Sequence, residues 1–273
     1  MKRTIDRWIT AIVDHTPLRF YCALVNLRCV LRGKAHRVSP YEHSNSIYEV
    51  RSGDDSILLC RRGRHNMHKR GIRSRIDALA RDYCLSSLGD LAGGTLIDCG
   101  ANIGELGRWA SAMGMKYIPF EPEKLEADCC DLNNFSGRRE TNRFPLWKTD
   151  DILRFYNRPR GADGSLLANG EDDSFVEVQA RRLDSVLTAE QLTHPIVLKV
   201  EAEGAEPEVL QGAEKLLAVI DFITVDCGYE RGSREAPQHT LIETNQLLRT
   251  AGFEVMAADL RRCSFLFRRQ RQE

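Results

Sequence analysis

Four carboxylates stand at the ends of short apolar runs. Asp98 closes Thr95-Leu-Ile, Glu121 follows Tyr117-Ile-Pro-Phe, Glu201 follows Ile196-Val-Leu-Lys-Val, and Asp226 closes Phe222-Ile-Thr-Val. In open α/β sheets ligands bind outside the carboxyl ends of the strands, so this repeated placement marks where a site belongs. The first acid opens the turn Asp98-Cys-Gly100-Ala-Asn102-Ile-Gly104. Gly100 and Gly104 lack side chains that would keep a ligand from the backbone at a helix N-terminus. A dinucleotide fingerprint would need glycine at 100, 102 and 105, and Asn102 and Glu105 depart from it, which disfavours NAD or FAD. The turn suits S-adenosylmethionine (SAM), which has no pyrophosphate to neutralise; a tight turn without a ligand is the plainer reading. Glu121 lies 23 residues after Asp98, where a carboxylate at a strand end can accept hydrogen bonds from both ribose hydroxyls of an adenosine. Asp98, Gly100, Asn102, Gly104 and Glu121 are therefore the candidate cofactor-binding residues.

The elements that must position these residues alternate between short apolar runs and helical periods from residue 95 onward, the signature of a parallel sheet with crossover helices. Strands are expected at Thr95–Asp98, Tyr117–Glu121, Ile196–Val200 and Phe222–Asp226, with helices over about 103–113 and 241–250. Phe253-Glu-Val-Met-Ala and Cys263-Ser-Phe-Leu-Phe267 read as a closing hairpin. Upstream, residues 4–32 read as one or two amphipathic helices, Tyr48–Val50 and Ile57–Cys60 as a hairpin, and 75–88 as a helix. The chain thus divides into a basic N-terminal extension, 1–75, and a second domain, 76–273. The polar stretch 157–175 reads as a loop of a length that often covers a site.

Three segments together, Leu96-Ile-Asp-Cys-Gly-Ala-Asn-Ile-Gly-Glu105, Phe120-Glu-Pro122 and Leu198-Lys-Val-Glu-Ala-Glu-Gly-Ala-Glu206 with Val209-Leu-Gln-Gly-Ala213, resemble the FkbM-type family of SAM-dependent methyltransferases over about residues 68–268. The resemblance implies a class I (Rossmann-like) α/β fold with a mostly parallel seven-stranded sheet and an antiparallel last strand. It also implies O-methylation of a hydroxyl on a sugar, glycan, glycolipid or related natural product. One position departs from the family pattern: Glu201 stands where the motif carries Asp.

Methyl transfer requires a nucleophile about 3 Å from an activated methyl carbon, so positioning supplies most of the catalysis and a base removes one proton. Strand four lies beside the methyl end of the cofactor in this fold, which makes Lys199, Glu201 and Glu203 candidate catalytic residues, with Lys199 holding Glu201 or Glu203 ionised. The plainer reading is that Glu203 and Glu206 charge the N-terminus of the following helix. Asp226, with Tyr229 and Glu230, forms a second cluster across the cleft and is the fourth candidate catalytic residue. Glu201 and Asp226 also stand where catechol-type O-methyltransferases carry metal-binding acids, but two acids are too few to define a site, so no metal ligands are assigned and a metal-free reaction is preferred over one using Mg²⁺ or Mn²⁺. His194, before Pro195, falls at the opposite edge of the sheet and reads as structural. The alternative function is a catalytically degenerate SAM- or nucleoside-binding scaffold or regulator.

The 273 residues carry 39 Lys+Arg and 39 Asp+Glu, a zero balance that hides an asymmetry. Residues 1–75 hold 16 basic and 6 acidic side chains, a formal +10, leaving 23 and 33 for the rest. Such a segment either pairs with the acidic remainder or meets an anionic surface, including a membrane through Trp8, Ile9 and Ile12. No helix-turn-helix or zinc-finger spacing points to nucleic acid. No apolar run approaches the roughly 18–20 residues that cross a bilayer. The first residues lack a signal-peptide apolar core, and the nine cysteines contain no C-x-x-C pair, so a cytoplasmic, membrane-peripheral location is expected.

Overall fold

The computed structural model describes residues 16–156, 164–167, 175–232 and 236–270. The chain forms two compact units, Met1–Ile76 and Asp77–Glu273. The helical expectation for residues 4–15, with Trp8, Ile9 and Ile12, lies outside the described residues.

In the first unit, helix α1 (Leu18–Leu31) buries Leu18, Tyr21, Cys22, Val25 and Cys29 on one face, the spacing of a 3.6-residue period. It packs beside a three-stranded antiparallel sheet of β1 (Arg37–Pro40), β2 (Tyr48–Ser52) and β3 (Asp55–Leu59). Asn26 clamps the two together, its side chain donating to the Val38 carbonyl and accepting from the Val38 N–H, both at 2.8 Å. The expected hairpin is β2–β3, turning at Gly53 with φ +63°. Strand β1 carries one buried apolar residue, Val38, and so has no readable alternation.

Helix α2 (Ile72–Asp82) leads out of this unit. It is shorter than the period to residue 88 suggests, because Cys84 turns left-handed at φ +58° and a 3₁₀ turn, Leu85–Ser87, follows.

The second unit is built on a six-stranded sheet. Strands β4 (Thr95–Cys99) and β5 (Lys116–Phe120) flank helix α3 (Glu105–Ala112), and helix α4 (Lys124–Asn134) follows. A separate two-stranded hairpin, β6 (Asp151–Tyr156) and β7 (Phe175–Ala180), precedes β8 (Ile196–Val200), helix α5 (Glu206–Gln211), β9 (Phe222–Asp226), helix α6 (Leu241–Thr250), β10 (Phe253–Asp259) and β11 (Ser264–Arg269). The sheet order is β10–β11–β9–β8–β4–β5. The β5–β4, β4–β8 and β8–β9 pairs are parallel, and β11 runs antiparallel to both β9 and β10. Strands β4 and β8 are buried along their whole length, as central strands covered on both faces must be. The apolar core runs through Ile97, Leu198, Val200, Val209, Leu210, Ile223, Val225 and Phe267.

The expected seventh strand is reduced, among the described residues, to a single parallel bridge between Phe120 and Asn142. Asn142 donates to the Pro119 carbonyl and accepts from the Glu121 N–H. Beyond it Pro145 lacks the amide hydrogen a longer ladder needs, and Arg143 turns aside to Asp128 and Asp131 at 2.7 and 2.5 Å. Most of 157–175 lies outside the described residues.

Candidate active site

Lys199 is the fourth residue of the buried strand Ile196-Val-Leu-Lys-Val, paired in register with Asp98 of β4, and its side chain is 2% exposed. A buried ammonium is tolerable only when its protons meet acceptors. Here Nζ donates to the carbonyls of Cys99 (3.0 Å) and Gly100 (2.7 Å) and ion-pairs with Asp98 Oδ1 (3.0 Å) and Glu201 Oε2 (3.2 Å). Burial opposes its charge, but the Asp98 and Glu201 carboxylates outweigh burial and hold its pKa above the ordinary lysine value.

Glu201 is gripped from three sides. Besides Lys199, Tyr83 donates its hydroxyl to Oε2 at 2.5 Å, and Arg262 Nη2 reaches Oε1 at 2.5 Å. Burial would raise its pKa; Lys199, Arg262 and the Tyr83 hydroxyl overcome that and bring it down to about 2. The same Arg262 nitrogen reaches Asp226 Oδ2 at 2.9 Å and donates to the Tyr83 hydroxyl at 2.7 Å. Asp226 is governed by burial, reinforced by the neighbouring Glu201 charge and only partly offset by Arg262, which pushes its pKa up to about 6. The Tyr83 ring lies against both cations, 5.2 Å from Lys199 Nζ and 4.6 Å from the Arg262 guanidinium carbon.

Tyr83 and Arg262 are absent from the sequence-based site. Tyr83 falls there inside the expected helix 75–88, and Arg262 between the two strands of the closing hairpin. The signal for Arg262 is topological: β11 is antiparallel to β9 with Ser264 opposite Asp226, so the β10–β11 turn falls at the carboxyl end of β9. Asp259 shapes that turn by accepting the Arg261 and Arg262 N–H groups at 2.9 and 3.1 Å.

The turn after β4 is built from three left-handed residues, Gly100 (φ +77°), Asn102 (φ +50°) and Gly104 (φ +79°). Glu121, 6% exposed, bridges it: Oε2 accepts the Asn102 N–H at 2.8 Å and Oε1 the Glu123 N–H at 2.9 Å. Burial pushes its pKa up to about 8 despite these donors. The missing side chains at the glycines also face protein. A Cβ at Gly100 would lie 2.2 Å from the Glu201 carbonyl oxygen, and one at Gly104 would lie 2.2 Å from Asn134 Nδ2 and 2.7 Å from Cys130 Sγ. Asp98 is likewise engaged inside the protein, with Lys199 on Oδ1 and the Tyr117 hydroxyl at 2.8 Å from Oδ2.

Glu203 sits at φ +50° in the turn between β8 and α5, its carbonyl accepting the Ser165 hydroxyl at 3.0 Å. Glu206 opens α5 and folds back, Oε1 accepting the N–H groups of Ala202 and Gly204 at 3.0 Å each. Burial raises its pKa to about 7. His194 bonds Asp221 at 2.7 Å at the amino end of β8, remote from the carboxyl-end cluster. Tyr229 is 64% exposed and stands edge-on to His239, 4.5 Å away.

A sequence profile described as the methyltransferase FkbM domain matches residues 98–255, more than half of the chain, and includes Lys199, Glu201, Glu121 and Asp226. The chain belongs to this methyltransferase family. SAM is accordingly its cofactor, and the buried Glu121 carboxylate beside the left-handed turn fits a nucleoside with two ribose hydroxyls. No curated protein matches the sequence. Among solved structures, it is similar to magnesium protoporphyrin IX methyltransferase from Synechocystis PCC 6803 with bound SAH (11% identity, 77% of this chain and 89% of that one, TM-score 0.43). It is also similar to a SAM-dependent methyltransferase from Aquifex aeolicus (15%, 71% and 95%, TM-score 0.37) and a protein of the NADB-Rossmann superfamily from Streptococcus agalactiae (13%, 71% and 69%, TM-score 0.40). At these values the likeness lends nothing to substrate or mechanism.

Glu201 and Asp226 share the Arg262 guanidinium, so a cation already lies between them, and no group of three or more His, Cys, Asp or Glu side chains among the described residues is arranged to hold a metal. This donor set does not fit a divalent ion.

Proposed function

We propose that this FkbM-family methyltransferase transfers the methyl group of SAM to a hydroxyl of a sugar, glycan, glycolipid or related natural product, with Asp226 as the proton acceptor. SAM supplies the electrophilic methyl carbon. The observation that carries the reading is the unequal partnering of two neighbouring carboxylates: Glu201 is held by Lys199, Tyr83 and Arg262, and of these three Asp226 touches only Arg262. A general base works best with a pKa near the operating pH. Glu201, saturated by Lys199, Tyr83 and Arg262, is too weak a base at neutral pH and acts instead to orient Arg262 and Lys199. Asp226, with 19% of its side chain exposed, can accept the proton of an acceptor hydroxyl and return it to solvent once the methylated product leaves.

Among the candidate catalytic residues Lys199, Glu201, Glu203 and Asp226, this reading gives the proton to Asp226 on strand β9. The remaining members of the set keep other tasks: Lys199 ties the ends of β4 and β8 together, while Glu121, Asn102 and Gly100 form the cofactor side.

Incubation with methyl-labelled SAM and lipid-linked or cell-surface glycan extracts, followed by mass spectrometry, tests the reading. Label on a hydroxyl oxygen of a carbohydrate is expected. SAM binding without any labelled product would favour the scaffold or regulator.

A further inference from the structure

Helix α1 has a second apolar face. Phe20, Leu24, Leu27, Val30 and Leu31 are 61, 51, 57, 60 and 77% exposed, while the face carrying Tyr21, Cys22, Val25 and Cys29 is buried. At about 100° per residue the exposed five fall on one side of the helix, roughly opposite the buried stripe. A cation borders that side along each edge, Arg19 on one and Arg28 on the other, both exposed. At about 1.5 Å per residue a 14-residue helix is near 21 Å long, too short to cross a bilayer and suited to lying in its surface.

We propose that α1 docks on an anionic lipid bilayer, inserting Phe20, Leu24, Leu27, Val30 and Leu31 among the acyl chains while Arg19 and Arg28 meet the headgroups. An apolar face edged by Arg is the pattern of helices that lie in the interface plane. Residues 16–76 hold thirteen Lys or Arg and four acids (Glu42, Glu49, Asp54 and Asp55), a formal +9. That charge selects the occupant: a second copy seated on the stripe would bring two arginine-edged, positively charged surfaces together, whereas an anionic bilayer neutralises them. The proposal does not depend on which hydroxyl is methylated.

Sedimentation of the full-length protein with phosphatidylglycerol/phosphatidylcholine vesicles and with phosphatidylcholine alone, each at low and high salt, tests it. Binding is expected on the anionic vesicles, weakened by salt. Leu24→Glu/Leu27→Glu should lower the partition coefficient by at least about tenfold, because both side chains leave the hydrocarbon. The two positions are exposed, so the melting temperature should hold; Leu31→Glu, at the most exposed position, repeats the test with a single change. The proposal is overturned if the wild type stays in the supernatant with anionic vesicles at low salt, or if both variants bind as well as the wild type. It is equally overturned if light scattering shows a dimer that the variants split, which would make the stripe an interface between copies.

Discussion

Glu201 and Asp226 end neighbouring strands, and burial works against the charge of both, yet only Glu201 has the Lys199 ammonium and Tyr83 hydroxyl at hand to reverse it. If Asp226 takes the proton, methyl transfer should rise with pH through a limb near 6. Asp226→Asn should then lower kcat by about 10²–10⁴-fold and erase the limb while SAM affinity stays nearly unchanged. Glu201→Gln should instead displace the limb to lower pH, because a negative neighbour of Asp226 is gone. A limb that survives in Asp226→Asn would assign the base elsewhere. Glu121 offers an independent reading of the cofactor side. Its raised pKa of about 8 means that it is largely protonated at neutral pH, and ribose hydroxyls donate best to the ionised form. SAM binding should therefore release a proton, and affinity should climb as pH rises from about 6 to 8. Calorimetry in buffers of differing ionisation enthalpy would register this, and Glu121→Gln should make the profile flat.

Gly100 shows how the strands define the site. At φ +77° it lets the end of β4 approach the end of β8 so closely that a Cβ would meet the Glu201 carbonyl oxygen at 2.2 Å. Gly93, in the turn before β4, has nearly the same φ, +76°, with nothing within 4 Å of a Cβ. The pair separates backbone conformation from close approach. Gly93→Ala should cost about 1 kcal/mol for the left-handed backbone alone. Gly100→Ala should cost about 3 kcal/mol or more, because the two strand ends must part. Urea denaturation of the two variants measures the difference, and equal costs would mean that β8 yields without strain.

The two units should answer acid in opposite directions. In Met1–Ile76, burial, helped by the charges of His36 and Arg28, lowers the His65 pKa to about 4, and burial also lowers that of His36. Between about 4 and the ordinary histidine value near 6.5, the unfolded chain binds more protons than the folded one, so this unit loses stability as pH falls through that window. In Asp77–Glu273, Glu121, Glu206 and Asp226 have raised values of about 8, 7 and 6. There the folded state binds the extra protons, and stability grows as pH falls from those values toward the ordinary carboxylate range. Hydrogen exchange at pH 5 and pH 7, corrected for intrinsic rates, should show protection falling within residues 18–68 and rising around residues 96–226. Parallel changes in both units would contradict these assignments.

Apolar runs bounded by acids, the glycine turn after Asp98 and the terminal hairpin are local patterns, set by side-chain alternation, backbone freedom and turn chemistry within a few residues. They were legible as strands β4, β5, β8 and β9, as helix α6, and as the motifs that carry the family resemblance. Helix α2 was legible in its period but not in its end, because the left-handed Cys84 has no glycine to announce it. Asn142 shows the same limit at the sheet edge, where a strand shrinks to one bridge once Arg143 and Pro145 leave the ladder. The partnership of Tyr83, Glu201, Asp226 and Arg262 joins residues up to 179 positions apart, and no local period records such a meeting. Nor does residue type reveal how two carboxylates differ: Glu201 and Asp226 are both acids at strand ends, and only their burial and the cations packed beside them separate their proton affinities.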